Sequence, residues 1–298
     1  MPALLIFIAY FAIALLSGAA IAYPLHLILS NWFELEFERV ASRSVLLMAI
    51  ILFVALYRKF GISSWREMGF ITDKKQFFAD LAKGIAFGLL IMLPVIVGLL
   101  ITKNRVLDAD LDLSILNIVD QIVTALIAGL IIALIEETLF RGAMLSAIKK
   151  HSSTMFAIAV TSLIYAAVHF IEPNLDYETN SLHWASGFVL VKDALSSVAN
   201  ITYIADSFLA LFLAGVLLAL VRIRSHRIAL CMGIHAGWVM AIKTFKSFTD
   251  SYAQSEYAFL SGSYDKVIGY LAAISIIVAI FLYLKRSSPY LSEKFGNT

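Results

Sequence analysis

Two adjacent glutamates, Glu136 and Glu137, follow the apolar run Ile131–Ile135 and precede Arg141. A charged side chain near the centre of a bilayer costs roughly 2.5 kcal/mol or more, which makes such groups candidates for function by default. Neighbours on a helix point about 100° apart, so the two carboxylates address different partners. Residues four apart share a face, which lets Glu137 pair with Arg141 and leaves Glu136 for a cavity. Two histidines lie in similarly apolar surroundings: His169, ending Tyr165-Ala-Ala-Val-His169, and His235, within Gly233-Ile-His-Ala-Gly-Trp238. Glutamate and neutral imidazole are the groups that activate a water or hold a divalent metal. The residues alone leave plainer readings open. The three charges can simply tie helices together, and a single histidine on an apolar helix is more often packed core than catalyst.

The elements that must position these groups are membrane helices. Of 298 residues, 61% are hydrophobic and 15% charged, against about 45–50% and 25% in soluble domains; the mean hydropathy is +0.87. The composition predicts an all-α, polytopic membrane helix bundle, read as a single membrane domain over 1–298, with membrane lipids as its surroundings. A net charge of +2 argues against nucleic acid as a partner. The single cysteine, Cys231, excludes an internal disulfide or a CxxC metal site and is expected to be a small buried helix residue.

Spans of about 20 apolar residues are expected at 3–29, 44–58, 84–102, 115–141, 154–171, 204–221, 228–246 and 267–284, eight in all. The first has no basic n-region and reads as a helix rather than a signal peptide. A weaker stretch, 186–200, is broken by Lys192 and Asp193 and fits an interfacial, re-entrant or extra span. The segment 62–82 is polar with aromatic insertions and is expected on the membrane surface, with Trp65 and Phe70 at headgroup level.

Basic residues cluster after every second span: Arg58, Lys59, Arg66, Lys74, Lys75 and Lys83; Lys149 and Lys150; Arg222, Arg224 and Arg227; Lys285 and Arg286. The opposite loops are acidic, at Glu34, Glu36 and Glu38, at Asp108, Asp110 and Asp112, and at Glu172, Asp176 and Glu178. Both termini are therefore expected in the cytoplasm. His26, His151, His183 and His226 are expected to be surface or interfacial.

Three signatures in order resemble the CPBP family, the type II CAAX prenyl endopeptidases with their bacteriocin-processing and immunity relatives. Glu136-Glu137-Thr-Leu-Phe-Arg141-Gly142 looks like the family's Glu-Glu-x-x-x-Arg motif. Tyr165-Ala-Ala-Val-His169 is similar to Phe-x-x-x-His, and His235 matches the first residue of His-x-x-x-Asn/Asp. The resemblance covers about 115–245 as a catalytic core, and an eight-helix layout with the site in an intramembrane cavity fits it. One position departs: Val239 stands where the family has Asn or Asp, and valine cannot donate a hydrogen bond.

The resemblance implies an intramembrane endopeptidase in a bacterial plasma membrane, acting on a peptide or protein substrate. Glu136 would be the general base on a water that His169 orients, and His235 would stabilise the oxyanion. Glu137 with Arg141 would hold Glu136 in aim. This mechanism needs no cofactor. A metal alternative places zinc on Glu136, His169 and His235, two histidines and one carboxylate with an open water position. A different class of function also stays open: a non-catalytic immunity or assembly factor of the same fold, to which Val239 lends support. A proton-coupled transporter would use the same groups but predicts inverted repeats, and no repeat stands out.

Overall fold

The computed structural model describes residues 2–70, 73–171, 182–199, 201–252 and 254–286. Among them are six helices long and apolar enough to cross a membrane, Ala3–Leu29, Phe37–Phe60, Lys74–Ile101, Ile115–Lys149, Ile204–Ser225 and Ile228–Ser247, and two shorter apolar ones, Thr154–Val168 and Tyr270–Lys285. The six long helices lie at six of the eight expected spans. The two shorter ones lie at the expected spans 154–171 and 267–284 without reaching spanning length. The protein is a polytopic helical membrane protein. The acidic residues Glu172, Asp176 and Glu178 lie outside the described residues. The chain divides into two compact units, Met1–Met68 with Thr138–Thr202, and Gly69–Glu137 with Tyr203–Thr298.

The first unit is built on an antiparallel hairpin of α1 (Pro2–Leu29) and α2 (Phe37–Leu56). Tyr10 donates its hydroxyl to the Ala49 carbonyl at 2.7 Å. A Cβ on Gly18 would lie 2.5 Å from the Val45 backbone, so only glycine permits this approach. Ala22, Phe37, Ala41 and Leu190 form a core at the hairpin's loop end. Leu190 comes from α7 (Ser186–Ala199), 14 residues long. That is short of the roughly 20 residues a span needs, and α7 packs against α1 instead, with Gly187 against the Ala19 backbone.

His26, expected at a surface, is instead buried edge-on against Phe37 at 5.5 Å. Its helix carries it inward because the loop folds α2 back over that face. His151, His183 and His226 are exposed, as expected.

The segment after α2 is a single 3-10 turn, Tyr57–Phe60, then a polar stretch in which Trp65 is exposed. Glu67 anchors it, pairing with Lys150 and accepting from Ser63 N (2.8 Å) and Oγ (3.0 Å). Partial burial pushes the Glu67 carboxyl up, yet the bonds to Lys150 and Ser63 together hold it below the usual carboxylate value. A depressed value in the folded state means stability that is present above the ordinary carboxylate range and lost as pH falls through the folded value. Both side chains are partly exposed, so the effect is small, under about 1 kcal/mol. Wild type should melt slightly above Glu67→Gln at pH 7, and the gap should close between roughly pH 5 and pH 3.

In the second unit, α3 (Lys74–Ile101) begins earlier than the expected 84. Asp73 caps it, accepting from Lys75 N and Gln76 N. The surface segment therefore ends near Asp73 rather than at 82. The partner of α3 is α9 (Ile228–Ser247). Their glycines interlock: a Cβ on Gly84 would lie 2.5 Å from the Leu230 carbonyl oxygen, and one on Gly237 would lie 2.6 Å from that of Ile85. Gly84 faces Gly233 and Gly88 faces Gly237, so the two helices run parallel, as spans three and seven of an alternating bundle must.

Both ends of this pair are tied. At the start, Arg227 Nη1 donates to both Asp80 oxygens at 3.0 and 3.1 Å. At the finish, β1 (Arg105–Leu107) pairs antiparallel with β2 (Thr249–Ser251), and Arg105 Nε donates to Thr249 Oγ1 at 2.7 Å. α10 (Tyr270–Arg286) runs antiparallel beside α3, with Ser275 Oγ donating to the Ile91 carbonyl at 2.6 Å. Cys231 is buried against α8 (Ile201–Ser225), donating Sγ–H to the Leu218 carbonyl at 3.4 Å.

Candidate active site

In the second unit, α4 (Ile115–Glu137) also packs on α9. Ala133 joins Ile228, Met232 and Ala236 in a core lined by Leu81 and Ile85. A Cβ on Gly129 would lie 2.7 Å from the Ala236 carbonyl oxygen. Small residues thus let α9 approach α3 and α4 together, which puts His235 beside the last residues of α4. His235 Nδ1 is 2.9 Å from Glu137 Oε1, and Nε2 is 3.9 Å from Glu136 Oε2.

The two carboxylates differ in environment as well as direction. Glu137 is fully buried, whereas the Glu136 side chain keeps 28% of its exposure. An ionised carboxylate only accepts, so the Nδ1–H of His235 donates to Glu137. The other ring nitrogen, Nε2, faces Glu136. This partner of Glu137 lies 98 positions away and has no trace in the spacing of the motifs.

The first unit holds the remaining motif residues. Directly after Glu137 the chain winds as a π-helix, Thr138–Met144, a widened turn frequent at functional sites. It carries Arg141, buried to 2% exposure. The Arg141 guanidinium lies over the Tyr165 ring, 4.1 Å from its centroid, and Phe140 meets the same ring edge-on at 5.3 Å. Tyr165 belongs to α6 (Thr154–Val168), and its carbonyl accepts from His169 Nδ1 at 2.7 Å.

A carbonyl only accepts, so the Nδ1–H of His169 donates to it. The aromatic residue of the second motif therefore has two duties here: a platform for Arg141 and a backbone anchor for His169. Of the expected site residues, Glu136, Glu137 and His235 fall in one unit, and Arg141 and His169 in the other.

Residues 118–241 match the family model described as type II CAAX prenyl endopeptidase Rce1-like. This segment is similar to that family. It lies inside the expected core of 115–245, and it contains Glu136, Glu137, Arg141, His169, His235 and Val239. No curated protein matches the chain. The Rce1-like segment begins within α4 and ends within α9, so it takes in the helices that carry all three signatures. Among the described residues, no three His, Cys, Asp or Glu side chains form a group arranged to hold a metal ion.

Proposed function

We propose that the protein is an intramembrane endopeptidase using Glu136 as general base without a metal. The observation that carries this reading is the contrast between the two glutamates around His235. Glu137 is buried against Nδ1, and the partly exposed Glu136 stands 3.9 Å from Nε2. That gap is one a single oxygen atom can bridge. Glu136 takes a proton from a water, whose oxygen attacks the scissile carbonyl carbon. His235 enters the reaction as an imidazolium and keeps both protons: its Nε2–H donates a hydrogen bond to the oxyanion, and Glu137 at Nδ1 balances the charge. Collapse breaks the C–N bond, and the Glu136 carboxylic acid returns its proton to the leaving amine.

By the family resemblance, His169 orients the water, and in the neutral ring its Nδ1–H to Tyr165 leaves Nε2 as the acceptor this role needs. Arg141 supports the π-turn by stacking on Tyr165. The substrate class the family suggests is a prenylated C-terminal peptide. The setting we propose is a bacterial plasma membrane, and the basic clusters favour both termini in the cytoplasm.

Wild type in proteoliposomes should cleave an internally quenched peptide ending in a farnesylated Cys-aliphatic-aliphatic-X sequence. Glu136→Gln should lower the rate at least about 100-fold, the lower limit for losing a general base. A non-catalytic binding role, which Val239 favours, instead predicts no cleavage by wild type and unchanged retention of the peptide by Glu136→Gln. Stoichiometric zinc in active wild-type protein would replace the metal-free mechanism with the metal one.

A further inference from the structure

Resting on the glutamate-base reading, we propose that the Trp238 indole N–H is the second hydrogen-bond donor to the scissile carbonyl oxygen. It would supply what Val239 lacks. Trp238 is 6% exposed. Among the described residues its Nε1 is buried without a hydrogen-bond partner. Buried indole N–H groups ordinarily find an acceptor, and leaving one unmet costs about 1–3 kcal/mol. A buried donor kept at that cost needs an explanation. A ligand carbonyl oxygen supplies one, because the site then donates only when substrate is present.

The position fits. Trp238 follows His235 by three residues, so the two side chains sit on one face of α9. Their ring centroids are 6.5 Å apart. Two donors sharing one oxygen, each about 2.9 Å from it, stand roughly 4.5–5.5 Å apart. Rings at this centroid separation allow their nitrogens that spacing. Val239 is half-buried next in the chain and carries no polar atom.

The test uses the full chain in proteoliposomes with the farnesylated quenched peptide. Trp238→Phe keeps the ring and removes the N–H. Its kcat should fall about 100-fold while KM stays within about threefold, because the bond is weak to the substrate carbonyl and strengthens as that oxygen gains charge in the transition state. Adding Val239→Asn to Trp238→Phe should recover at least about tenfold, since the amide restores a donor near the same oxygen.

A kcat within threefold of wild type, a loss confined to KM, or no recovery by Asn overturns the proposal. Glu136→Gln run in parallel separates the two ideas. If it cleaves like wild type, the base reading fails; if it is inactive while Trp238→Phe is unimpaired, only the Trp238 role fails. A readout independent of turnover uses Glu136→Gln protein labelled with 15N at its four indoles. The peptide should move the Trp238 N–H resonance, identified by its disappearance in Trp238→Phe, and an unmoved resonance overturns the proposal.

Discussion

Glu137→Gln is expected to abolish most activity, by about a thousandfold, while leaving the protein folded. In the structure Glu137 is fully buried and accepts from His235 Nδ1 at 2.9 Å. Glutamine keeps the shape and removes the negative charge. Opposite charges about 4 Å apart attract by about 4 kcal/mol at an effective dielectric of 20, which corresponds to roughly a thousandfold in rate. That attraction matters most when His235 carries two protons, as it must to donate Nε2–H toward an oxyanion. The amide can also turn its NH2 to Nδ1, forcing the other tautomer, which is how amide replacement of a buried carboxylate disables other histidine sites. Kinetics on the farnesylated peptide should show a fall in kcat, with KM little changed. A loss below tenfold would reduce Glu137 to packing.

Gly233→Ala should prevent stable folding of the second unit. Its Cβ would press on the Leu81 carbonyl and lie 2.8 Å from Gly84 Cα. Both are backbone atoms in a helix, and neither can rotate away. Overpacking typically costs 1–3 kcal/mol and occasionally more; about 3 kcal/mol or above is expected here. Gly98→Ala is the internal comparison, because its Cβ would meet only the Leu271 side-chain tip at 2.6 Å, which can shift. In detergent, Gly98→Ala should remain monodisperse with a melting point near wild type, and Gly233→Ala should aggregate or melt far lower. Equal behaviour of the two would show that α9 can back away from α3.

Much of the architecture was legible in the sequence because lipid imposes a simple rule on it. Backbone groups in hydrocarbon must be satisfied within the segment, so apolar runs of sufficient length become helices. The start of α3 is also written there, ahead of the expected 84. Asp73 and Gln76 have the spacing of a capping box, a stronger signal than the charges at Lys74 and Lys75 that suggested a surface segment. The burial of His26 carried no comparable local signal, since it depends on where α2 packs.

The site divides in the same way. Residue type singled out His169 and His235 as the groups able to act with carboxylates. The expectation that adjacent glutamates address different partners fails: both face His235, Glu137 at Nδ1 and Glu136 at Nε2, because one imidazole presents a nitrogen to each. The identity of those partnerships came from the tertiary structure. Glu137 meets His235 because Gly129 and Ala133 let α4 lie against α9, and the glycines of α3 and α9 set its depth. Tyr165 carries Arg141 because a π-turn presents the guanidinium to its ring. Spacing along one helix reports which side chains share a face, whereas contacts between helices depend on how closely two backbones can approach, a sum over small residues far apart in the chain.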